Sequence, residues 1–326
     1  MKIDFIKNLF SIKKEKSHKV IKFFGLKLKI KNKRNVDNIA IQNDLKILKS
    51  LIDIRNIPPA TGYIRNIQSI LFDILKLVHT ICEKHNIPYW LEGGTLLGAI
   101  RHKGFIPWDD DLDISMMYED YIKFKSIIKD ELKNTNYEFL QVESHIAKIL
   151  NKDFYPENNE KLLNFLNWSE NERLYMALDI FPYHYIKDEM SDIAEIELKK
   201  ARFEKIKLYK KYKNIDSYKN IQDFLDNLNA RFTSNEKQKK CFLGLETIDQ
   251  KIMIFNSNDI FPLRKVEFEG EYFYAPNNYK AILQEQYDDY MKPVFYSSHL
   301  NFSNICKEDK IKLLSYKTIE EQREGV

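Results

Sequence analysis

The chain has 326 residues, 44% hydrophobic and 13% aromatic, with 52 Lys+Arg against 48 Asp+Glu for a net charge of +4. That composition excludes disordered, collagen-like and membrane-embedded classes, and at about 150 residues per domain the length allows one large or two modest domains. Cys82, Cys241 and Cys306 are widely spaced and form no CxxC pair, which excludes a disulfide framework and a zinc knuckle and predicts a reducing, cytoplasmic setting.

Charge is unevenly placed. Residues 1–35 carry twelve Lys/Arg against Asp4 and Glu15, a balance of +10 that leaves the remaining residues at −6. An acidic body argues against nucleic acid as a partner, whereas a basic head suits phosphate-rich surfaces such as an anionic membrane. No run approaches the roughly 20 apolar residues of a transmembrane helix. The opening MKIDFIKNLFSIKK lacks the apolar run and cleavage site of a signal peptide. The expectation is a soluble protein, or one peripheral on the inner face of the cell membrane.

In chain order, Ile3, Phe5, Ile6, Leu9 and Phe10 read as one or two turns of amphipathic helix, and HKVIKFFGLKLKI as a small hairpin around Gly25. Residues 1–35 are thus a basic head, either a solvated appendage or a membrane or partner contact. Ile41, Leu45, Leu48 and Ile52 predict a helix over 38–53, in a linker segment 36–62 that ends at Pro58-Pro59 and Gly62. Ile64, Ile67, Leu71, Ile74, Val78 and Ile81 predict a longer helix to about His85, backing a sheet. Pro88–Leu91 reads as a short strand, Gly93–Ile100 as a Gly-Gly-Thr turn into a short helix, Asp109–Ser115 as an alternating strand, and 118–132 as a helix. Strands near 137–150 and 174–181 flank a polar insertion at 151–172, so residues 63–187 form an α/β or α+β core. Residues 188–260 lack proline and hold one glycine, Gly244, which predicts a helical second lobe. In the closing segment, 261–326, Val266–Tyr274 reads as a hairpin turning at Glu269-Gly270, followed by a helix to about Tyr290.

The chemistry is concentrated in YWLEGGTLLGAIRHKGFIPWDDDLDI, residues 89–114. Residues two apart on a strand share a face, so Asp111 and Asp113 point the same way while Leu112 and Ile114 enter the core. Adjacent carboxylates repel, and a divalent cation relieves them; open oxygen sites suit Mg²⁺ or Mn²⁺ that also grips phosphates. DxD alone is equally a common acidic loop. Upstream, Gly93-Gly94-Thr95 strengthens the metal reading, because glycines leave N–H groups accessible at a helix N-terminus, where phosphate binds.

GGTLLGAIRHKGFIPWDDDLDI resembles the signature of the LicD family, bacterial phosphocholine transferases related to the fukutins, within the nucleotidyltransferase superfamily. Further matches follow in order: Ala147-Lys148-Ile149, Leu178-Asp179-Ile180-Phe181-Pro182, and Phe268 through Pro276 to Tyr287-Asp-Asp-Tyr-Met-Lys-Pro293. The resemblance covers about residues 65–293. It implies an α+β fold, a nucleotidyltransferase-like mixed sheet with flanking helices, in which Asp111, Asp113 and a third carboxylate hold two ions of Mg²⁺ or Mn²⁺.

Asp179 is the natural third, because it is the lone polar residue between Leu178 and Ile180, where an unpaired buried carboxylate is costly; the alternative is a helix cap before Pro182. Asp179 is also a candidate to take the acceptor's proton. Arg101, with a planar fork suited to oxyanions, is placed to bind a pyrophosphate. His102 reads as a phosphate ligand or a hydrogen-bonded structural residue, and Lys148 as a contact to nucleotide phosphates. Trp108 packs under the metal loop or stacks on a base, while Asp109 and Asp110 read as loop caps or supports for the ligands.

The implied reaction moves a phospho-alcohol group, phosphocholine by default, from a CDP-linked donor such as CDP-choline to a hydroxyl of a bacterial surface glycan or lipid-linked glycan, releasing CMP. The rivals are CDP-glycerol or CDP-ribitol as donor, true nucleotidyl transfer, and a membrane-tethered scaffold without activity. One position departs from the family pattern: Asp288 stands where glycine is usual, so a positive φ is expected there.

Overall fold

The computed structural model describes residues 10–15, 18–23, 26–31, 53–141, 146–154, 177–211, 218–246, 252–292 and 312–324. At the head, β1 (Phe10–Glu15), β2 (His18–Phe23) and β3 (Leu26–Lys31) form an antiparallel sheet. β2 and β3 make the expected hairpin, with Phe23 opposite Leu26. Phe10 begins a strand, not the end of a helical turn: Phe10 and Ile12 fall opposite Phe23 and Ile21, and pairing outweighs a short helix with a costly nucleus. The rest of that turn, the helix expected over 38–53 and most of the polar insertion lie outside the described residues.

The main body begins with α1 (Tyr63–His85), β4 (Trp90–Leu91), α2 (Gly93–His102), β5 (Leu112–Met117), α3 (Tyr118–Glu131), β6 (Tyr137–Gln141), β7 (Ala147–Asn151) and β8 (Ala177–Ile186). It continues with α4 (Ala194–Lys211), α5 (Tyr218–Phe232), β9 (Thr233–Ser234), β10 (Lys240–Leu243), β11 (Ile254–Asn256), α6 (Ser257–Ile260), β12 (Arg264–Phe268), β13 (Glu271–Ala275), α7 (Tyr279–Tyr287) and α8 (Ile319–Glu324). This is a mixed α+β fold around one curled sheet. β8 is its spine: it runs parallel to β5 and antiparallel to β7, β9 and β10.

Two elements differ from expectation. The strand predicted at Asp109–Ser115 starts at Leu112, because a turn with Asp109 N–H donating to Ile106 C=O at 2.9 Å keeps the three aspartates in a loop. In the segment 188–260 the long helices end at Phe232; the chain then returns to the sheet as β9, β10 and β11 before the short α6. In the sheet, buried Cys241 and Phe242 pair with Tyr185 and His184 of β8. Short, and punctuated by Gly244 alone, these strands read as helix.

The apolar stripe of α1 is fully buried from Ile67 to Val78, and Phe72 meets Phe268 and Phe273 of the β12–β13 hairpin at 6.3 and 6.0 Å. That hairpin turns at Glu269-Gly270 with φ of 49° and 72°, a two-residue turn as expected. Buried Arg65 of α1 reaches Glu269 at 2.8 Å and Glu320 of α8 at 2.5 Å, and donates to Gln68 at 3.1 Å. Gln68 in turn donates to the carbonyls of Ile106 and Asp109 at 3.2 and 2.8 Å. One ion network therefore fixes the floor of the acidic loop.

Removing one partner of a buried pair strands the other charge, at a cost of about 3–5 kcal/mol. Arg65→Met should lower unfolding stability by that amount in urea titrations. Glu320→Gln should cost less than about 1 kcal/mol, since Glu320 is half-exposed at 52%. Equal losses in the two variants would contradict this ranking.

Candidate active site

Strand register assembles the site. Parallel pairing of β5 with β8 sets Asp113 beside Asp179, and antiparallel pairing of β7 with β8 sets Lys148 on the other side of Asp179. Lys148 Nζ lies 2.5 and 2.6 Å from the two oxygens of Asp179.

Above this row, the turn into α2 is fastened to β5 at two points. Glu92 N–H donates to the Asp113 carbonyl at 3.0 Å, and Asp113 N–H donates to Thr95 Oγ1 at 2.8 Å. Gly93 has φ of 51°, and a Cβ there would stand 3.3 Å from Asp113 Oδ2 and 3.6 Å from the Tyr287 hydroxyl. A Cβ on Gly94 would come within 2.9 Å of Asp109 Oδ2. Both glycines are needed where they are, one for its conformation and both for the approach of carboxylates to the start of α2.

The cluster carries more negative charge than Lys148 offsets. Burial, and then the charges of Asp111 and Asp179, push Asp113 well above its ordinary value. Asp109 is pushed up in the same way, by burial and then by the neighbouring Asp111 and Asp113. Burial also raises Asp179, with Lys148 opposing and Asp111 adding. Asp109 brings its carboxylate to the start of α2 beside the cluster, and Asp110 is buried.

An all-oxygen, mutually repelling donor set fits a hard cation. Among the described residues, no three His, Cys, Asp or Glu side chains enclose a single metal position. Mg²⁺ and Mn²⁺ chemistry does not need such a set, since Mg²⁺ is satisfied by one or two carboxylates together with waters and substrate phosphates. Asp111 and Asp113 can supply these, with Asp179 adjacent but spanned by Lys148.

The residues predicted to take phosphate divide. Lys148 is in the row. Arg101 is buried and donates to the Tyr290 carbonyl at 3.0 Å, tying the loop after α7 to α2; burial lowers it to about 10, with Tyr287 and Asp109 opposing. His102 spends both ring nitrogens on the protein, Nε2–H on the Ile54 carbonyl at 3.1 Å and Nδ1 on Arg101 Nε–H at 3.4 Å. Burial and then Arg101 hold it down to about 4, so the imidazole is neutral and the structural reading applies. Trp108, 39% exposed and edge-on to His102 at 6.3 Å, does not pack beneath the loop.

Sequence reasoning missed Glu92 and Tyr287. Glu92 is buried and accepts from Ser115 at 2.9 Å, Trp90 at 3.1 Å and Gln286 at 2.5 Å, which binds α7 to the turn. Tyr287 ends α7 with its hydroxyl beside Asp113, and burial, then Asp113 and Asp109, keep that phenol protonated. The next residue, Asp288, has the expected positive φ, 54°. The signal for both was position: Glu92 precedes the diglycine and Tyr287 opens the last motif.

Residues 86–211 match the sequence model of the LicD/FKTN/FKRP nucleotidyltransferase domain. The lipopolysaccharide cholinephosphotransferase LicD of Haemophilus influenzae is 31% identical over 251 residues, 70% of this chain and 91% of that protein. An uncharacterized protein of Rickettsia typhi is 35% identical over 248 residues, 74% of this chain but 55% of that one. The ribitol 5-phosphate transferase FKRP of Homo sapiens is 46% identical over 50 residues, 15% of this chain and 10% of FKRP. The model's range includes every carboxylate of the cluster, and Tyr287 lies beyond it.

Because Asp113 and Asp109 bind protons more tightly folded than unfolded, metal-free stability falls as pH rises from the unfolded carboxylate value, about 4, toward the raised folded values. In EDTA at neutral pH, Asp113→Asn should therefore be more stable than the parent, on the order of 1 kcal/mol after solvent screening. The gap should close toward about pH 4. Thermal melts of both proteins across this range check the sign, and a variant that is less stable throughout contradicts the repulsion.

Proposed function

The chain belongs to the LicD/FKTN/FKRP nucleotidyltransferase-domain family, and from that premise we propose that it moves phosphocholine from CDP-choline to a hydroxyl of a bacterial surface glycan, releasing CMP. The observation that carries this reading is the row Asp113, Asp179 and Lys148 under a diglycine turn, in a chain similar over most of its length to a lipopolysaccharide cholinephosphotransferase. The shorter similarity to a ribitol 5-phosphate transferase keeps ribitol phosphate as the second donor group.

Asp111, Asp113 and Asp179 would hold the divalent ions, Mg²⁺ or Mn²⁺ and two in number, which when bound place positive charge on the donor's phosphates. The chain's own groups do the rest. Lys148 is the cation within reach of the leaving CMP, and Tyr287 offers a protonated hydroxyl to a phosphoryl oxygen. Asp179, raised by burial, accepts the proton of the acceptor hydroxyl. The sugar oxygen forms its bond to the β-phosphorus as the bond from that phosphorus to the bridging oxygen breaks, in line.

The basic head is proposed to meet the anionic inner face of the membrane. Its strands β1–β3 carry seven lysines and one glutamate, each lysine worth about 1 kcal/mol near an anionic surface. Among the described residues no helix is long and apolar enough to cross a membrane.

With CDP-choline labelled by ³²P at the β position, label should enter the glycan while CMP accumulates one for one. CMP attached to the acceptor would overturn the assignment. Asp111→Asn and Asp113→Asn should lower turnover by at least roughly 100-fold with circular dichroism unchanged, and Tyr287→Phe should lower it less. Deleting residues 1–35 should release the protein from phosphatidylserine vesicles without changing turnover on a soluble acceptor, and high salt should mimic the deletion. Vesicle binding that survives the deletion refutes the membrane role.

A further inference from the structure

A second cavity, of 220 Å³, opens at the far end of the sheet face that carries the aspartates. Met117, Tyr183 and Tyr185 line it and share strand parity with Asp113 and Asp179. Met117 and Tyr183 stand four residues further along their strands, about 13 Å at a rise of roughly 3.3 Å per residue. The face between is filled: Ser115 and Trp90 donate to Glu92, and all three are buried. The cavity is therefore separate from the acidic row.

Its walls are unusual in combination. Tyr118, Tyr183, Tyr185 and Phe261 line it with Ser234, Asn235 and the carboxylates of Glu119 and Asp120. Tyr183 is fully buried and Tyr118 stacks one face on His184 at 4.5 Å, so Tyr185 and Phe261 are the rings with open area. Trp90 supports this wall from behind, with ring centroids 5.1 Å from Tyr183 and 5.9 Å from Phe261. Neither carboxylate makes a hydrogen bond or ion pair among the described residues. Asp120 is partly withdrawn from water, and burial lifts it to about 6 despite Lys123. Position in the first turn of α3 accounts for acids being tolerated there, but not for an aromatic-walled hollow beside them.

The volume is below the roughly 300–1,000 Å³ of pockets for drug-sized ligands, so the occupant is small. A hard metal ion takes oxygen ligands and would gain little from aromatic walls. An organic cation fits both features, because ring faces attract ammonium groups and the carboxylates supply the opposite charge. We propose that this cavity binds a small organic ammonium of the choline type, at a site distinct from the one that handles the phosphates. The same cation exists as free choline and as phosphocholine already carried by a glycan. The two acids beside the cavity would repel a phosphate, which favours the free cation.

Calorimetric titration of the full chain in EDTA with choline, tetramethylammonium and phosphocholine tests this. Choline and tetramethylammonium should bind with dissociation constants of about 1 mM or tighter. Phosphocholine should bind more weakly; equal or tighter binding would identify the glycan-borne group as the source. Asp120→Asn, which keeps the side-chain shape, and Tyr185→Leu, which keeps an apolar wall, should each weaken choline at least tenfold, while Asp111→Asn should leave it unchanged. Choline binding that is absent, indifferent to Asp120→Asn and Tyr185→Leu, or lost in Asp111→Asn would overturn the proposal, the last by assigning the cation to the acidic row.

Discussion

Parallel pairing of β5 with β8 puts two carboxylates, Asp113 and Asp179, side by side at one end of a sheet. Like charges in such a position are unfavourable, and Asp109 and Asp111 add to them. The surrounding structure is organised to hold this arrangement. Lys148 on β7 offsets Asp179, Thr95 and Glu92 fasten the backbone of Asp113, and the two glycines at the start of α2 leave the carboxylates the space they occupy.

The support extends well beyond the site. Gln68 holds the carbonyls of Ile106 and Asp109, and Arg65 holds Gln68 while bridging the β12–β13 turn and α8. On the other side, Glu92 holds Gln286 and Arg101 holds the carbonyl of Tyr290, so α7 is drawn against the cluster from two points. Elements distant in sequence thereby fix the loop that carries the three aspartates. The apolar contacts of α1 with the hairpin supply the burial that makes this rigidity affordable.

Much of this was legible in the sequence, for physical reasons that can be named. The periodicity of Ile64 to Ile81 marked α1, the Glu269-Gly270 pair marked its hairpin, and Asp288 in a glycine's place marked the positive φ. Alternation in DDDLDI located the acidic strand but started it too early, since alternation cannot say where pairing begins. Arg101 and His102 followed the glycine helix and so resembled phosphate ligands; their burial and carbonyl partners are tertiary facts with no local sign. Glu92 and Tyr287 stand 195 residues apart and are brought together by folding, and β10 and β11 are extended by pairing, β10 with β8 and β11 with β10.

At the opposite end of the same face, carboxylates meet aromatic rings instead of one another, and the chemistry invited there is that of an organic cation. The acidic row, by contrast, is proposed to hold a hard divalent ion, and that proposal is the centre of the account. Its most direct test is Mn²⁺ binding followed by electron paramagnetic resonance, with melting temperature recorded on the same samples for the parent and for Asp113→Asn. The parent should bind Mn²⁺ and gain about 2.7 kcal/mol at 100 times its dissociation constant, while Asp113→Asn should lose both the binding and the gain. Equal Mn²⁺ binding by the two proteins, or none by the parent, would contradict the account.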